Sequence, residues 1–111
     1  MEKFTLADLI AKREGSGKLY HEFLRVADMS AGVYQLAAGE TDPQEPHTED
    51  ELYYVAAGRA RIQVKDEDAP VEAGALVFVA ANVPHRFHTI TEDLTVLVFF
   101  APAEYSRESR P

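Results

Sequence analysis

Seven short runs of apolar and β-branched residues follow one another through most of the chain, each separated from the next by a turn-rich segment. They cover residues 19–26, 32–38, 52–57, 60–65, 76–80, 86–90 and 94–100. Short strands at this spacing predict an all-β sandwich or barrel. The last run, LTVLVFF, is apolar at nearly every position, which indicates that both of its faces are covered.

The N-terminal residues show a different pattern. Thr5 and Asp8 are similar to the start of a capping box, and apolar residues follow on one helical face, which predicts a short helix. A Gly-Ser-Gly sequence then ends it. With 111 residues the chain can form one hydrophobic core. We divide this single domain into a helix and turn at 1–17, a barrel at 18–101 and a tail at 102–111, which is expected to be loose from Ala103 onward.

Charge and composition exclude several partner classes. Nineteen acidic against eleven basic residues give a formal net charge of −8, which attracts neither nucleic acid nor an anionic membrane surface. No apolar run approaches the roughly 20 residues of a membrane span, and the N-terminus has no signal-peptide core or cleavage site, which predicts a cytoplasmic protein. The absence of cysteine excludes disulfides and thiolate metal ligands.

Two groups of metal-ligand residues lie along the predicted barrel. Glu45 and His47 are two positions apart, so on an extended strand their side chains point to the same face. Glu51 follows a polar turn and opens an apolar run, where an inward carboxylate is costly unless it is paired or bound to a metal. His85 comes after a second β-rich run and a turn that contains proline. These four residues supply two imidazoles and two carboxylates, which are ligands for divalent first-row metals.

The spacing of these residues resembles the first motif of the cupin family. That motif is Gly, five residues, His, one residue, His, three or four residues, Glu, six residues, Gly. The corresponding positions here are Gly39, Glu45, His47, Glu51 and Gly58, with Glu45 where the first His usually stands. The resemblance implies a double-stranded β-helix, the jelly-roll barrel of cupins, and a bound metal ion.

The second motif of that family is Gly, five residues, Pro, one residue, Gly, two residues, His, three residues, Asn. Gly74 and His85 match it. Ala80, Asn82 and Thr89 occupy the positions of the Pro, the second Gly and the Asn. The resemblance therefore covers residues 39–89, and it reaches the flanks only as a general pattern.

Glu45 has two interpretations. As a ligand it completes a two-His, two-Glu set, whose lower charge favours Fe or Mn, with Zn, Ni and Cu as further candidates. Alternatively, His47, Glu51 and His85 hold the metal alone, and Glu45 acts beside it as a general base. The family position and the spacing to His47 favour ligation.

Other residues near the motifs receive structural interpretations. Four polar residues are assigned away from the metal, namely Glu49 and Asp50 in a solvated turn, and His21 and His88 as structural or exposed side chains. By strand parity three further side chains line the same cavity as the metal, namely Tyr53, Val55 and Phe87.

Three classes of function are open, and the resemblance implies the chemistry of the first. The first is a metal-dependent enzyme that acts on an oxygen-bearing small molecule by dioxygenase-, isomerase-, decarboxylase- or lyase-type chemistry. In a dioxygenase, Glu45 or Tyr53 would be the catalytic proton acceptor. The second class is a non-catalytic binding or sensor module. The third is a structural barrel with a decayed site, which four intact ligand-type residues disfavour. Fold analogy does not choose among these chemistries.

The last predicted strand also bears on assembly. Small single-domain cupins usually form dimers, and the outward residues of 94–100 would form an exposed apolar patch if nothing covered them. A symmetric homodimer that buries this strand, with Phe4, Leu6 and Leu9 packing across it, removes that exposure. The alternative is that the N-terminal helix covers the strand within its own subunit. The size of the apolar patch favours the dimer.

Overall fold

The computed structural model describes residues 1–107 and contains one helix followed by six strands. The elements are α1 (Leu6–Ser16), β1 (Tyr20–Val26), β2 (Met29–Leu36), β3 (Asp50–Val64), β4 (Glu67–Glu72), β5 (Leu76–Val79) and β6 (His85–Ala101). The predicted all-β class with a short N-terminal helix is confirmed.

The strands form an antiparallel sheet in the order β1-β2-β6-β3-β4, with β5 paired to β3. The two longest strands, β3 and β6, pair along their length, from Asp50 opposite Ala101 to Val64 opposite His85. The register of this ladder shifts between Val55 and Arg61. Such bulges bend the strands and increase their twist, so one pair of strands can curve around an interior.

Gly58 lies at this bend. Its φ is +96°, and a Cβ atom placed there would lie 2.2 Å from the carbonyl oxygen of Asp93 on β6. Glycine is therefore required both for the backbone conformation and for the close approach of the two strands. The predictions of separate strands at 52–57 and 60–65, and at 86–90 and 94–100, are wrong, because each pair is one long bent strand.

Alternate side chains of the strands fill the interior. The buried apolar residues of β2, β3 and β6 include Tyr34, Leu36, Tyr53, Val55, Ile62, Phe87, Ile90, Leu94, Val96, Val98 and Phe100. Along β3 and much of β6 the buried side chains alternate with a period of two, which a sheet with one covered face produces. In β2, residues 30–34 are buried without a break, because both faces of that strand are covered. The barrel core is thus apolar, so the few polar side chains buried next to it need partners.

Helix α1 begins and ends as the sequence predicts. The Thr5 side chain accepts a hydrogen bond from the Asp8 N–H, and Gly17 ends the helix in a left-handed conformation. Leu9 is buried, and the helix packs against β1 and β2. Within residues 1–107, no helix is long and apolar enough to cross a membrane. The cytoplasmic location stays a prediction.

The C-terminal segment 103–107, here called the strap, packs against the barrel. Ala103 is buried, and its N–H donates to the carbonyl of Ala27. The Glu104 N–H donates to the buried hydroxyl of Ser30 at 2.9 Å. The expectation of a loose tail is therefore wrong for the strap, and the rest of that expectation falls on residues 108–111, outside the described residues.

Candidate metal centre

Three of the four predicted ligands meet inside the barrel. His47, Glu51 and His85 are buried, and each offers one ligand atom within 4.8 Å of the others. His47 lies in the loop before β3, Glu51 is near the start of β3, and His85 opens β6. In the ladder His85 is paired at the far end of β3 from Glu51. The bend of β3 and β6 brings those two ends together.

The donor atoms of the group lie close together but do not satisfy one another. His85 Nε2 lies 3.0 Å from Glu51 Oε1, and His47 Nδ1 lies 3.5 Å from the same oxygen. None of these atoms, nor Glu51 Oε2, has a partner in hydrogen-bonding geometry among residues 1–107. Buried polar atoms normally have such a partner. Two imidazoles and a carboxylate with unpartnered donor atoms this close together fit a divalent metal ion.

Hydrogen bonds on the outer side of each imidazole orient the rings. His85 Nδ1 lies 2.9 Å from the carbonyl of Val83, which can only accept, so Nδ1 carries the hydrogen of the neutral ring and Nε2 then presents a lone pair. His47 Nε2 lies 3.0 Å from Glu104 Oε2 in the strap. Each ring is therefore held from outside while its other nitrogen faces Glu51.

The electrostatics of the group favour ionised side chains. Burial alone would lower the pKa of His47, but the nearby carboxylates of Glu104 and Glu51 outweigh burial and raise the pKa to about 9. Burial likewise opposes protonation of His85, and Glu51 raises its pKa. Burial would raise the pKa of Glu51, whereas the two imidazoles lower it. A metal ion that binds here must therefore displace protons from the imidazoles.

Glu45 lies outside the buried group. Its side chain is exposed, and residues 41–47 form a loop, so the same-face argument that linked Glu45 to His47 on a strand does not apply. Glu45 lines a cavity that also reaches His47. Ligation by Glu45 stays a prediction, and so does its alternative role as a general base.

The three side chains that strand parity predicts around the metal, Tyr53, Val55 and Phe87, are buried, but none of them is among the residues that line the cavity beside His47. The ring centroid of Tyr53 lies 4.9 Å from that of Phe87 and 5.9 Å from that of His85, and Val55 is buried on the same strand. The Tyr53 hydroxyl donates to Gln44 Oε1 at 3.0 Å. Burial raises the pKa of Tyr53 well above its usual value, so the phenol is protonated at neutral pH. Its catalytic assignment stays a prediction.

A cavity of about 400 Å³ lies beside His47. Its walls include Tyr20, Glu45 and Glu104 together with apolar side chains of β6. The Tyr20 hydroxyl is buried and has no hydrogen-bond partner in the described part of the chain. Tyr20 and Glu104 were not identified from the sequence, because they belong to β1 and the strap, far along the chain from both motifs.

Glu49 is buried and does not lie in the solvated turn that the sequence predicts. The sequence predicted a solvated turn, but the side chain is 1% exposed. Its Oε1 accepts the N–H of Tyr105 at 2.5 Å, and its Oε2 accepts the N–H of Arg107 at 2.9 Å and the hydroxyl of Thr48. Burial would raise the pKa of Glu49, but these donors lower it. Glu49 therefore anchors the strap.

Other polar residues lie apart from the group. Asp50 is half-buried and accepts the N–H of Ala81 at 2.9 Å, so it too is held by the fold instead of by solvent. His88 lies 2.7 Å from Asp68 on β4, which agrees with the structural role predicted for it.

Comparison with known proteins gives one consistent result. A sequence model described as Cupin_2, Cupin domain, matches residues 32–100. An uncharacterized protein of Streptomyces coelicolor (strain ATCC BAA-471 / A3(2) / M145) is 49% identical over 104 residues, which are 94% of this chain and 99% of that protein.

Solved structures have the same fold. TT1209 from Thermus thermophilus is similar with a TM-score of 0.75 and 25% identity, over 93% of this chain and 99% of that one. The DMSP lyase DddQ from Ruegeria pomeroyi DSS-3 is similar with a TM-score of 0.67 and 23% identity, over 77% of this chain and 42% of that one. The latter likeness supports the fold alone.

Proposed function

This chain belongs to the cupin-domain family, and from that premise we propose that it binds one divalent metal ion through His47, Glu51 and His85. The observation that carries the proposal is the set of buried donor atoms without partners on these side chains, within residues 1–107. Apolar surroundings make such atoms costly unless something binds them. A metal ion satisfies all of them at once.

The donor set favours Fe(II) or Mn(II). Two imidazoles and one carboxylate with open positions are typical of non-haem Fe(II) sites, and Zn, Ni and Cu bind similar donors. If Glu45 swings inward from its exposed loop, it adds a second carboxylate, which strengthens the preference for a harder ion. Elemental analysis of protein purified without chelators tests the identity.

We further propose that the protein is an enzyme that acts on a small oxygen-bearing molecule. The bound ion supplies a Lewis acid that holds and polarises an oxygen of that molecule. The cavity of about 400 Å³ beside His47 is of a size that admits a small molecule. Such an ion would support dioxygenase-, isomerase- or lyase-type chemistry.

Several side chains of the cavity can hold or move protons. Glu45 is exposed at the cavity wall and is the candidate general base. Tyr53 is not among the residues that line the cavity; its protonated phenol lies near His85 and donates to Gln44 Oε1, so its part in proton transfer stays a proposal. The buried hydroxyl of Tyr20 is available to a substrate oxygen, and burial raises the pKa of this phenol too. These groups support catalysis over passive binding.

The alternative is a non-catalytic binding or sensor cupin that uses the same cavity. The two functions differ in turnover. Metal-loaded protein that converts a small oxygenated compound supports the enzyme, whereas saturable binding without conversion supports the sensor. A Glu45→Ala variant that keeps its metal and loses turnover identifies Glu45 as a base, and a variant that loses metal identifies it as a ligand.

We also propose a homodimer. Six apolar side chains lie in two rows on the outer face of β5, β3 and β6, namely Phe78, Leu52 and Phe99, and Leu76, Tyr54 and Leu97. Leu76 is 64% exposed and Phe78 is 62% exposed. Helix α1 packs on β1 and β2 of its own subunit. It therefore does not cover this outer apolar face. A second copy of the chain would bury it.

A further inference from the structure

We propose that Glu104 is a positioning residue of the metal centre and that the strap contributes to metal binding by placing Glu104 against His47. This inference rests on the proposed metal binding. It assigns a role to a segment that lies outside both sequence motifs. The carboxylate of Glu104 acts through His47, whose ring it holds for the metal.

The contact between Glu104 and His47 is well defined. Glu104 Oε2 lies 3.0 Å from His47 Nε2, and the Glu104 side chain is only 13% exposed. The backbone of Glu104 is fixed on both sides, because its N–H donates to Ser30 Oγ at 2.9 Å and its carbonyl accepts from Arg25 at 2.8 Å. The carboxylate is thus delivered to the imidazole by a fixed piece of backbone.

This contact decides which nitrogen of His47 faces the metal. An ionised carboxylate only accepts hydrogen bonds, so the hydrogen of the neutral imidazole resides on Nε2. Nδ1 then presents its lone pair toward Glu51, and Nδ1 is the buried atom without a hydrogen-bond partner within residues 1–107. A carboxylate in this position also makes the imidazole a stronger ligand. The geometry matches that at His85, where the carbonyl of Val83 has the same role.

Glu49 ties the strap to the first metal motif. It lies between His47 and Glu51 in the sequence, and it accepts hydrogen bonds from the backbone N–H groups of Tyr105 and Arg107. The motif therefore contributes two ligands to the interior and one anchor for the strap. The strap in return brings Glu104 to His47. Loosening the anchor should weaken the metal site although Glu49 does not touch it.

The test compares the Mn(II) affinity of the wild-type chain with that of Glu104→Ala and Glu104→Gln by isothermal titration calorimetry. Glutamine has no charge but can still accept from His47 Nε2. We expect Glu104→Ala to weaken binding about 10- to 100-fold and Glu104→Gln to recover a large part of that loss. Equal losses in both variants would show a mere charge effect and overturn the positioning role.

One control variant and one further test variant separate structural damage from the proposed role. Glu72→Gln removes the same charge from an exposed carboxylate paired with Arg59, and it should leave Mn(II) affinity unchanged. Glu49→Gln should weaken Mn(II) binding in the same direction as Glu104→Ala, because it releases the strap. If Glu104→Ala does not fold by circular dichroism, the comparison of Glu104→Gln with Glu49→Gln decides, and unchanged affinity in both overturns the inference.

The Co(II)-substituted protein gives an independent readout, since its visible spectrum reports the ligand field. We expect Glu104→Ala to shift those bands, and Glu72→Gln to leave them in place. Failure of this inference differs from failure of the proposed function. A wild-type chain that binds no metal refutes the proposed function, whereas a Glu104→Ala variant that binds metal as tightly as the wild-type chain refutes the positioning role alone.

Discussion

Glu51 Oε1 and His85 Nε2 lie 3.0 Å apart, yet neither atom has a hydrogen-bond partner among residues 1–107. The two residues are placed at opposite ends of the β3–β6 ladder and meet only because that ladder bends. Close approach without a hydrogen bond is the arrangement expected of two ligands that face a common ion.

Metal affinity should rise with pH across the neutral range. Because the pKa of His47 is raised to about 9, a metal ion must displace a proton from it at any lower pH. Each displaced proton changes the apparent affinity about tenfold per pH unit. Histidine ligands with unperturbed pKa values would instead lose this dependence above ~6.5. Calorimetric titrations at pH 6.5, 7.5 and 8.5 measure it, and equal affinities would contradict the role of His47.

The metal-free protein should show the opposite trend in stability. A folded-state pKa of about 9, above the 6.5 of an unperturbed histidine, means that His47 stabilises the fold fully below pH 6.5. That contribution is lost as the pH rises through about 9. In chelator, the difference in melting temperature between wild type and His47→Gln should shrink over this window. A constant difference would argue against the ion pairs of His47 with Glu51 and Glu104.

Gly58 should tolerate substitution less well than Gly74. Both glycines have positive φ, +96° and +98°, but only at Gly58 would a Cβ meet another backbone atom, at 2.2 Å from the Asp93 carbonyl oxygen. We expect Gly74→Ala to cost about 1–3 kcal/mol for its conformation. Gly58→Ala should cost about 1–3 kcal/mol more for overpacking. Urea denaturation measures the loss of unfolding free energy in both variants. Equal losses would show that the bend does not require the close approach of Gly58 to the Asp93 backbone.

The outer apolar face should hold a dimer together. Sedimentation equilibrium should give a mass of about twice the 12.4 kDa of one chain. Phe78→Lys should shift the mass to that of one chain without unfolding it, since Phe78 is 62% exposed in the single subunit. Val26→Lys, an exposed residue on β1, serves as the control. A wild-type mass near that of one chain would contradict the proposed dimer.

The sequence predicted the strands better than their connections. A period of two identifies runs with one buried face, but it does not show that Gly58 joins two such runs into one bent strand. Strand β4 was missed because its sequence, EDAPVE, is charged and contains Pro70. Such a strand is specified by its pairing with β3 at the edge of the sheet, not by local preference.

Some residues of the candidate site can be predicted from the sequence, whereas others can be recognised only from the packing. His47, Glu51 and His85 were found because their residue types and spacing carry a signal. Glu49 looked like a solvated carboxylate, since its burial depends on backbone donors of the strap more than fifty positions away. Glu104 had no local signal at all, because its role arises only from the packing that places it against His47.

The most direct test of the metal centre combines elemental analysis with a thermal melt. The wild-type chain should carry up to one equivalent of a divalent metal, and His85→Ala should carry far less. Saturation at about 100 times Kd should stabilise the fold by about 2.7 kcal/mol, which chelator removes. For a chain of this size that corresponds to a fall of roughly 10–20 °C in melting temperature. A wild-type protein without metal, whose melting curve is unchanged by added Fe(II), Mn(II) or Zn(II) and by chelator, would contradict the account.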